Sequence, residues 1–499
     1  MTYDLALPRR AGGTLPLLLT ASTGCAMTVL DTNIVAIVLP TIARDFGASF
    51  AEIEWVVSTY VLCFAALLLP AGAIADRFGR RRVFLAGIAL FALASLLCGL
   101  APSARLLYLA RALQGMGAAF QLAPALAVIA HGFHGEAERN RAWAIWGGIM
   151  GLTMVLAPVL GGLIAHFLGW RWAFLVNIPI GLALGAAAFA FVEESRDEAA
   201  RRLDPAGIAL FAAAMFGITW GLINGQAQGW TSPSALAGFA AGALAFAGFI
   251  VVERAQARPM LDLNLFRLPR LVGGVWAMFA YAACAQVMAS LLPLFLQNGL
   301  GRSPLEAGLS MLPFALAMLV FPQVGRRLGG RLTSPRILTL GLATVALGNG
   351  LTGWGAHLSA WPVVMAGMLV LGAGGGLLNG ETQKAIMMVV PRERAGMASG
   401  ISTTARFTGI LLGFALLSGV LATVVRGGIA ASHGHEFAEN VIAGDLPQAV
   451  AGLAGAAREA AVAQAQAAYS GGFAAALFAA GAISLASAFA VARLMRTRG

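Results

Sequence analysis

Charged residues are scarce in this chain, and lysine is almost missing. Only 11% of the 499 residues are charged, and Lys384 is the single lysine. Soluble domains carry about 25% charged residues, which excludes the three soluble domains that the length alone would suggest. Apolar stretches of about 20 residues instead recur from end to end, and each is long enough to cross a bilayer. The composition therefore predicts one large all-α integral membrane protein.

Cysteine is also rare, and the motifs of soluble enzymes are missing. The four cysteines, Cys25, Cys63, Cys98 and Cys284, all fall in apolar stretches, so we expect buried thiols rather than disulfides or metal ligands. No phosphate-binding GK[ST] loop occurs, which argues against direct use of ATP. The glycine-rich stretch 372–380 lies in an apolar span and indicates close helix packing. We expect no enzyme activity, no metal site and no cofactor.

Positive charge is unevenly distributed. The net charge is +11, and 25 Lys and Arg lie in alternate loops and at the two ends, against six in the opposite loops and two within spans. Such a bias marks the cytoplasmic side of a membrane protein, so it predicts cytoplasmic termini and argues against binding of nucleic acid. The apolar run 16–39 is too long for a signal-peptide core, and we interpret it as the first span.

Hydropathy predicts about 14 spans in three blocks. We expect an N-terminal six-helix bundle at 14–193, an inserted helix pair at 206–252 and a C-terminal six-helix bundle at 271–492. An extracellular loop is predicted at 426–469, and its alanine-rich, mildly amphipathic part favours short helices at the surface. The loops "PAGAIADRFGRRRVFL" and "PQVGRRLGGRLTSPRIL" follow the second span of each bundle and share Pro, Gly and an arginine cluster. Six-span halves that repeat in this way are common in transporters, whose sites lie at the interface of the halves.

Several short sequence motifs resemble those of a known family. "GAIADRFGRRR" (72–82) closely matches the loop signature of the major facilitator superfamily. "LDTNIVAIVLP" (30–40), "RALQGMGAA" (111–119) and "APVLGG" (157–162) resemble motifs of its drug/proton antiporters, and "WRWAFLVNIPIG" (170–181) resembles the sixth-span entry of the fourteen-span members. The resemblance covers nearly the whole chain and implies the major-facilitator fold.

The chain also departs from these motifs. Asn33 and Ala36 stand where the first-span motif usually has Thr and Asn, and Ala157 and Thr153 replace glycines of the fifth-span motif. These departures bear on the range of substrates more than on the fold.

Two charges lie within predicted spans at similar depth. Asp31 is ~12 Å and Arg111 ~10 Å from the outer end of its span, at 1.5 Å per residue. A charge in the bilayer centre is costly and has a partner or a function. The pair could fix packing permanently, but we favour a carboxylate that lines the transport cavity and takes up and releases a proton, as the resemblance implies.

Three further groups of candidates follow from the motifs. We call the loop 72–82 the gate loop. Gly72 is expected to allow close approach of another helix, and Asp76 is expected to contact the N-terminus of the thirteenth span near Met397. Arg77, Gly79 and Arg80 are the other candidates in this loop. Pro158, Gly161 and Gly162 predict a kinked, closely packed fifth span. Asn33, Arg406 and Glu381 are candidate polar residues of a cavity, with Glu381 also explained by a position at the membrane interface.

These observations predict a secondary transporter that exports amphipathic or hydrophobic organic compounds in exchange for protons by alternating access. An exporter dedicated to one natural product, an importer of the same fold, a polytopic membrane enzyme and a channel are the alternatives. The expected partners are small molecules, protons and the lipid bilayer of a bacterial inner membrane. We expect a monomer without nucleic acid, and nothing in the sequence indicates a periplasmic adaptor.

Overall fold

The computed structural model describes residues 14–133, 136–196, 204–256, 263–389 and 395–496. Every regular element in these ranges is a helix. The α-helices are α1 (Thr14–Phe46), α2 (Phe50–Phe78), α3 (Arg80–Gly99), α4 (Ala104–Gly132), α5 (Glu136–Phe167), α6 (Trp172–Leu175), α7 (Asn177–Phe191), α8 (Pro205–Gln228), α9 (Pro233–Ala255), α10 (Pro269–Tyr281), α11 (Met288–Leu294), α12 (Pro304–Ser310), α13 (Leu312–Leu328), α14 (Ser334–His357), α15 (Trp361–Leu378), α16 (Glu381–Met387), α17 (Ala395–His433), α18 (His435–Ala443), α19 (Leu446–Ala449) and α20 (Gly455–Leu494). A 3₁₀ turn covers Leu263–Arg267, and π-helical segments cover Ala282–Gln286 and Phe295–Gly299.

Within the described ranges, fourteen helical segments are long and apolar enough to cross a membrane. Most consist of one helix, but the ninth runs from Pro269 to Gly299 through α10, α11 and both π-helical segments. This segment is largely buried, so it lies at the centre of the molecule. The number of spans predicted from hydropathy is confirmed.

The second span of each six-span block begins in the same way. Ser49 and Glu52 form a capping box at the start of α2, and Ser303 and Glu306 form one at the start of α12. In each box the serine hydroxyl and the glutamate carboxylate satisfy backbone N–H groups that the helix leaves unpaired. This shared device supports the internal repeat that the arginine-rich loops indicate.

The first six spans and the last six meet along several helix pairs. α5 packs on α12 and α13, α2 packs on α17, and α1 packs on α11. The inserted pair, α8 and α9, packs mainly on itself, while α8 also contacts α2 and α17. Trp55 of α2 lies with its ring centroid 5.9 Å from that of Phe216 and 5.8 Å from that of Trp220, both on α8.

The first six spans and the last six make close contact at one end of the molecule. We call the half that holds the end of α1 and the start of α2 the closed half, because every residue of α1 from 34 to 40 is buried there. In this half Gln297 donates a hydrogen bond of 2.8 Å to the backbone carbonyl of Ile37, which joins the two blocks. The gate loop lies at the opposite end, where Gln323, Arg326 and Arg327 of α13 line an open surface pocket of about 580 Å³.

The bounds of the predicted loop at 426–469 differ from the structure, although short helices are found in it as expected. α17 continues to His433 and α20 begins at Gly455, so only 434–454 separates them, and this segment itself contains α18 and α19. Alanine has the highest helix propensity, and the alanine-rich stretch before the last span therefore extends that span rather than forming a loop.

Candidate functional site

Asp31 and Arg111 form an ion pair inside the first six-span block. Arg111 Nη1 donates to Asp31 Oδ2 at 2.6 Å, and the two side chains are 1% and 0% exposed. Gln114 Nε2 and Asn177 Nδ2 donate to the other carboxylate oxygen at 2.7 and 2.8 Å. The carboxylate of α1 is thus held by donors from α4 and α7, which compensate for its removal from water.

A second layer orients the donors. Gln114 accepts from Arg111 Nη1 at 2.6 Å and donates to Ser95 of α3 at 2.8 Å. Arg111 Nε donates to the backbone carbonyl of Val56 on α2 at 3.2 Å, and the guanidinium lies 4.1 Å from the ring centroid of Tyr60. Five helices therefore converge on one buried polar cluster.

This geometry corrects one prediction and leaves another open. Asp31 and Arg111 are brought together as their similar depth predicts, but the expectation that they line a cavity is wrong for this conformation, because neither is exposed. The other donors complete a closed cluster between helices. Gln114 and Asn177 are site residues that the sequence does not mark as such, although they lie within the motifs "RALQGMGAA" and "WRWAFLVNIPIG".

The gate loop is held by two carboxylates. Asp76 accepts from Arg80 Nη2 at 2.8 Å across one helical turn. Glu194, which follows α7, accepts from the backbone N–H groups of Arg81 and Arg82 at 3.1 and 3.3 Å. These N–H groups belong to the first turn of α3 and have no partner within the helix, so Glu194 caps α3 and joins the gate loop to the end of the block.

The two glycines of the gate loop differ in whether a side chain could replace them. Gly79 has φ of +111°, a conformation that other residues rarely adopt, and a Cβ there would lie 2.6 Å from Glu194 Oε1. A Cβ on Gly72 would be 3.9 Å from Ala123, an ordinary contact, so the expected close approach at Gly72 is wrong. Arg77 is exposed beside the Phe78 ring. The predicted partner of Asp76 near Met397 involves side chains outside the described residues.

The fifth-span motif lies where the blocks meet in the closed half. A Cβ on Gly162 would lie 2.8 Å from the carbonyl oxygen of Pro304, and one on Gly308 would lie 2.3 Å from the carbonyl oxygen of Pro158. Gly161 faces α1, with its Cβ position 3.2 Å from Ile34 Cα. α5 continues through Pro158 as one helix, and these glycines bring α5 into backbone contact with α12 and α1.

The remaining polar candidates lie apart from the Asp31 cluster. Arg406 Nε of α17 donates to Gln286 in the first π-helical segment at 2.8 Å, and the neighbouring Phe407 packs edge-on against Phe64 of α2 at 4.3 Å. Asn33 donates to the carbonyl of its own helix, at Val29. Glu381 is paired with Lys384 at 3.2 Å and accepts from Ser334, near the gate-loop end of α14.

In the described residues, fourteen apolar helical segments, a buried ion pair among the first six and glycine contacts between the first six and the last six are features of a polytopic membrane transporter. The family described as "Major Facilitator Superfamily" matches residues 21–414. The chain belongs to this family: it is a transporter rather than an enzyme, and a multipass protein of a bacterial plasma membrane.

Similar proteins come from several bacteria. "Multidrug resistance protein Stp" of Mycobacterium tuberculosis is 37% identical over 406 residues, covering 81% of this chain and 75% of that protein. "Tetracenomycin C resistance and export protein" of Streptomyces glaucescens is 34% identical over 82% of this chain and 76% of its own length. "Multidrug efflux pump LfrA" of Mycolicibacterium smegmatis is 33% identical over 85% of this chain and 86% of its own length.

Solved structures share the fold at lower sequence identity. A bacterial homolog of the lysosomal transporter Spinster, in an inward-facing and unoccupied conformation, has a TM-score of 0.66 at 16% identity and covers 97% of this chain and 98% of its own. A peptide transporter POT in complex with sulfate has a TM-score of 0.63 at 17% identity, with 96% of each chain covered.

Proposed function

We propose that this chain exports amphipathic or hydrophobic organic compounds from the bacterial cytoplasm in exchange for protons. The observation that carries the proposal is the similarity to a multidrug resistance protein, Stp, and a multidrug efflux pump, LfrA, which align with four fifths or more of this chain. The proton gradient is the proposed energy source, since a proton that moves inward releases about 2.3 kcal/mol per 100 mV. We propose the blocks 14–193 and 271–492 as the two moving bundles of a monomer, with 206–252 inserted.

The charge bias gives the direction of the cycle. It supports cytoplasmic termini, so the gate loop faces the cytoplasm and the closed half faces outward. The open pocket beside Arg326 then lies on the cytoplasmic side, next to the end of α13. The glycine contacts of Gly162 and Gly308 keep the outer side closed at this stage.

Asp31 is the proposed proton-coupling residue. As a carboxylate it is held by Arg111, and protonation would remove the charge that binds the guanidinium. Because Asp31 is fully buried in this conformation, the geometry supports indirect coupling better than direct competition between proton and compound. A proton on Asp31 would free Arg111 and loosen the contact between α1 and α4, and the cavity would change as the cluster rearranges.

A flux assay tests the export function. Purified protein in proteoliposomes with an imposed pH gradient should move a compound from a drug panel against its own gradient, and an uncoupler should stop the movement. Asp31→Asn should reach the membrane but lose uphill transport, Asp31→Glu should keep part of it, and Arg111→Ala should shift its pH dependence. Downhill movement alone, in every compound tested, would contradict proton coupling.

Compound-induced proton release from protein in detergent tests the role of Asp31 separately. Wild-type protein should release protons when it binds a transported compound. Asp31→Asn should not. Release of the wild-type number of protons by this variant would place the proton elsewhere, and Glu381 would be the next residue to replace.

A transporter dedicated to one natural product is the second candidate. The similarity to the tetracenomycin C resistance and export protein supports it. The same flux assay separates the two: a dedicated exporter should transport one structural class in the panel, whereas a multidrug exporter should transport several unrelated classes.

A further inference from the structure

A second carboxylate is buried in the closed half, on the contact surface between the two blocks. Glu54 lies in the second turn of α2 and is 1% exposed. Its Oε1 accepts a hydrogen bond from the Ser418 hydroxyl of α17, and its Oε2 is buried without a hydrogen-bond partner. Ser418 also contacts the carbonyl of Ala415 in its own helix at 3.3 Å. Glu54 therefore reaches from the first block to the second through a single hydroxyl.

Glu54 differs from Asp31 because no described residue supplies it with a counter-charge. The elements that pack around Glu54 carry charged or titratable groups of their own. Those described are Cys25, Asp31, Arg44 and Asp45 on α1; Glu52, Tyr60, Cys63, Asp76 and Arg77 on α2; Arg80, Arg81, Arg82 and Cys98 on α3; Arg105, Tyr108, Arg111 and His131 on α4; Arg406, Arg426 and His433 on α17; and His435, Glu436 and Glu439 on α18. The described part of α8 has none. None of the basic groups among them lies within ion-pair distance of Glu54. Arg111 holds Asp31, and Arg426 holds Glu439 at 2.7 Å.

The cost of a lone buried charge determines the state of this side chain. A carboxylate that is removed from water without a cation or a full set of donors is strongly disfavoured. A neutral carboxylic acid needs far less compensation, and its O–H is a donor that can satisfy a nearby acceptor. The closed contact at Ser418 thus accommodates the acid form of Glu54 and opposes the charged form.

We propose that Glu54 is a second proton-binding site, which must be protonated for the two blocks to close in this half. When the blocks separate, Glu54 meets water and ionises; when they close, it takes up a proton from the same side. Because that proton returns to the side it came from, the site makes closure depend on pH without adding a transported proton. This inference rests on the proposed function only in assigning the closed half to the outer, more acidic side.

The pH dependence has a defined sign. Closure takes up one proton wherever Glu54 is neutral in the closed state and ionised in the open state. The ratio of closed to open molecules should therefore fall by about tenfold for each unit by which the pH rises in that range. Acid on the outer side would favour closure there and so move the transporter toward its cytoplasm-facing state.

Distance measurements on purified protein test the proposal without any transported compound. Spin labels on Leu168→Cys and Leu358→Cys, two exposed positions in turns at the closed end of different blocks, report the separation by pulsed electron resonance. Cys63 is replaced by serine, since it is the one cysteine that is not fully buried. From pH 5 to pH 9 the wild-type distribution should shift from a short distance to a longer one.

Three variants make the test specific. Glu54→Gln keeps the shape of the neutral acid and should hold the short distance at every pH. Ser418→Ala removes the cross-block donor and should move the transition to a lower pH. Glu436→Gln, an exposed carboxylate on α18, is the matched control and should behave as wild type. A wild-type distribution that does not change with pH, or a Glu54→Gln protein that opens as wild type does, would overturn the proposal.

Flux measurements separate this inference from the export function. Glu54→Gln favours the closed half, so it should turn over more slowly than wild type and lose only the part of the dependence on outer pH that belongs to Glu54. If it retains the wild-type number of protons per compound in proteoliposomes, both ideas stand. A loss of proton coupling in Glu54→Gln would instead show that its proton crosses the membrane, which contradicts return to the same side. If no compound is transported by wild type, the export function fails while the distance result still decides the role of Glu54.

Discussion

At the scale of single residues, two buried carboxylates in one membrane protein have opposite surroundings. Asp31 has an arginine and two amide donors, whereas Glu54 has one serine hydroxyl. A charge that is compensated in this way can stay ionised in a dry interior, and removal of one partner then leaves the other uncompensated. Removal of one partner of the Asp31 cluster should therefore be strongly destabilising, even though the intact pair adds little net stability.

The first prediction concerns Arg111. Arg111→Ala leaves Asp31 buried and unpaired, and we expect a loss of about 3–5 kcal/mol in the free energy of unfolding. Arg82→Ala is the control, because Arg82 is 81% exposed and its contact with Glu194 is long, at 3.7 Å. Exposed ion pairs contribute at most about 1 kcal/mol to stability. Unfolding in mixed detergent micelles, followed by tryptophan fluorescence, measures both. Equal losses in the two variants would show that the Asp31 pair is not compensated as described.

The second prediction compares two glycines of the gate loop. Gly79→Ala forces an unfavourable backbone conformation and brings a Cβ to 2.6 Å from the carboxylate that caps α3. We expect a loss of about 1–3 kcal/mol in stability and slower transport, because α3 can no longer be capped by Glu194. Gly72→Ala has room for its Cβ at 3.9 Å from Ala123 and should be close to wild type. Thermal unfolding and flux are measured on both, and a stable, active Gly79→Ala protein would contradict the structure.

Only part of these residue contacts follows from the sequence. The spacing of Asp31 and Arg111 gave their common depth, because helical rise converts residue number into distance. It did not give the direction of either side chain around its helix, which packing decides, so the cluster was expected to line a cavity. Glu54 stands near the start of its span, where a carboxylate at the membrane surface is ordinary, and only the packing of α17 reveals that it is buried.

At the scale of helices, small residues allow the two blocks to approach. Gly162 and Gly308 place α5 and α12 in backbone contact, and a side chain on either would overlap a carbonyl of the partner helix. Such contacts are typical of membrane helices that pack through small residues. The motif "APVLGG" indicated close packing, but not which helix would approach, since the partner is almost 150 residues away in sequence.

The third prediction tests this seam. Gly162→Leu should prevent α5 and α12 from closing and should lower transport by at least tenfold, while the protein still folds because each block keeps its own core. Gly148→Leu in the same helix is the control, since nothing lies within 4 Å of the Cβ position at Gly148. The Leu168–Leu358 label distance should lengthen in Gly162→Leu only. Normal transport by a well-folded Gly162→Leu protein would show that the contact is not needed for the cycle.

At the scale of the whole molecule, hydropathy and charge account for most of the architecture. Fourteen apolar segments follow directly from the requirement that a chain in lipid satisfy its backbone within helices. The ends of α17 and α20 do not follow from it, because alanine-rich helix can continue beyond the membrane. The side on which the termini lie depends on the arginine bias alone, and it sets the direction of every transport step proposed above.

The fourth prediction therefore addresses topology. Gly452 lies in the short exposed connection before α20, and Gly330 lies in an exposed turn at the gate-loop end, next to the arginine-rich end of α13. A cysteine at position 452 should react with a membrane-impermeant maleimide in intact cells, and one at position 330 should react only after the membrane is opened. Nothing lies within 4 Å of the Cβ position at Gly452, and only the Arg327 carbonyl lies near that of Gly330, so both sites accept the change. The parent protein sets the background. The reverse labelling pattern would invert the orientation, place the closed half in the cytoplasm, and put the pocket beside Arg326 on the outer side.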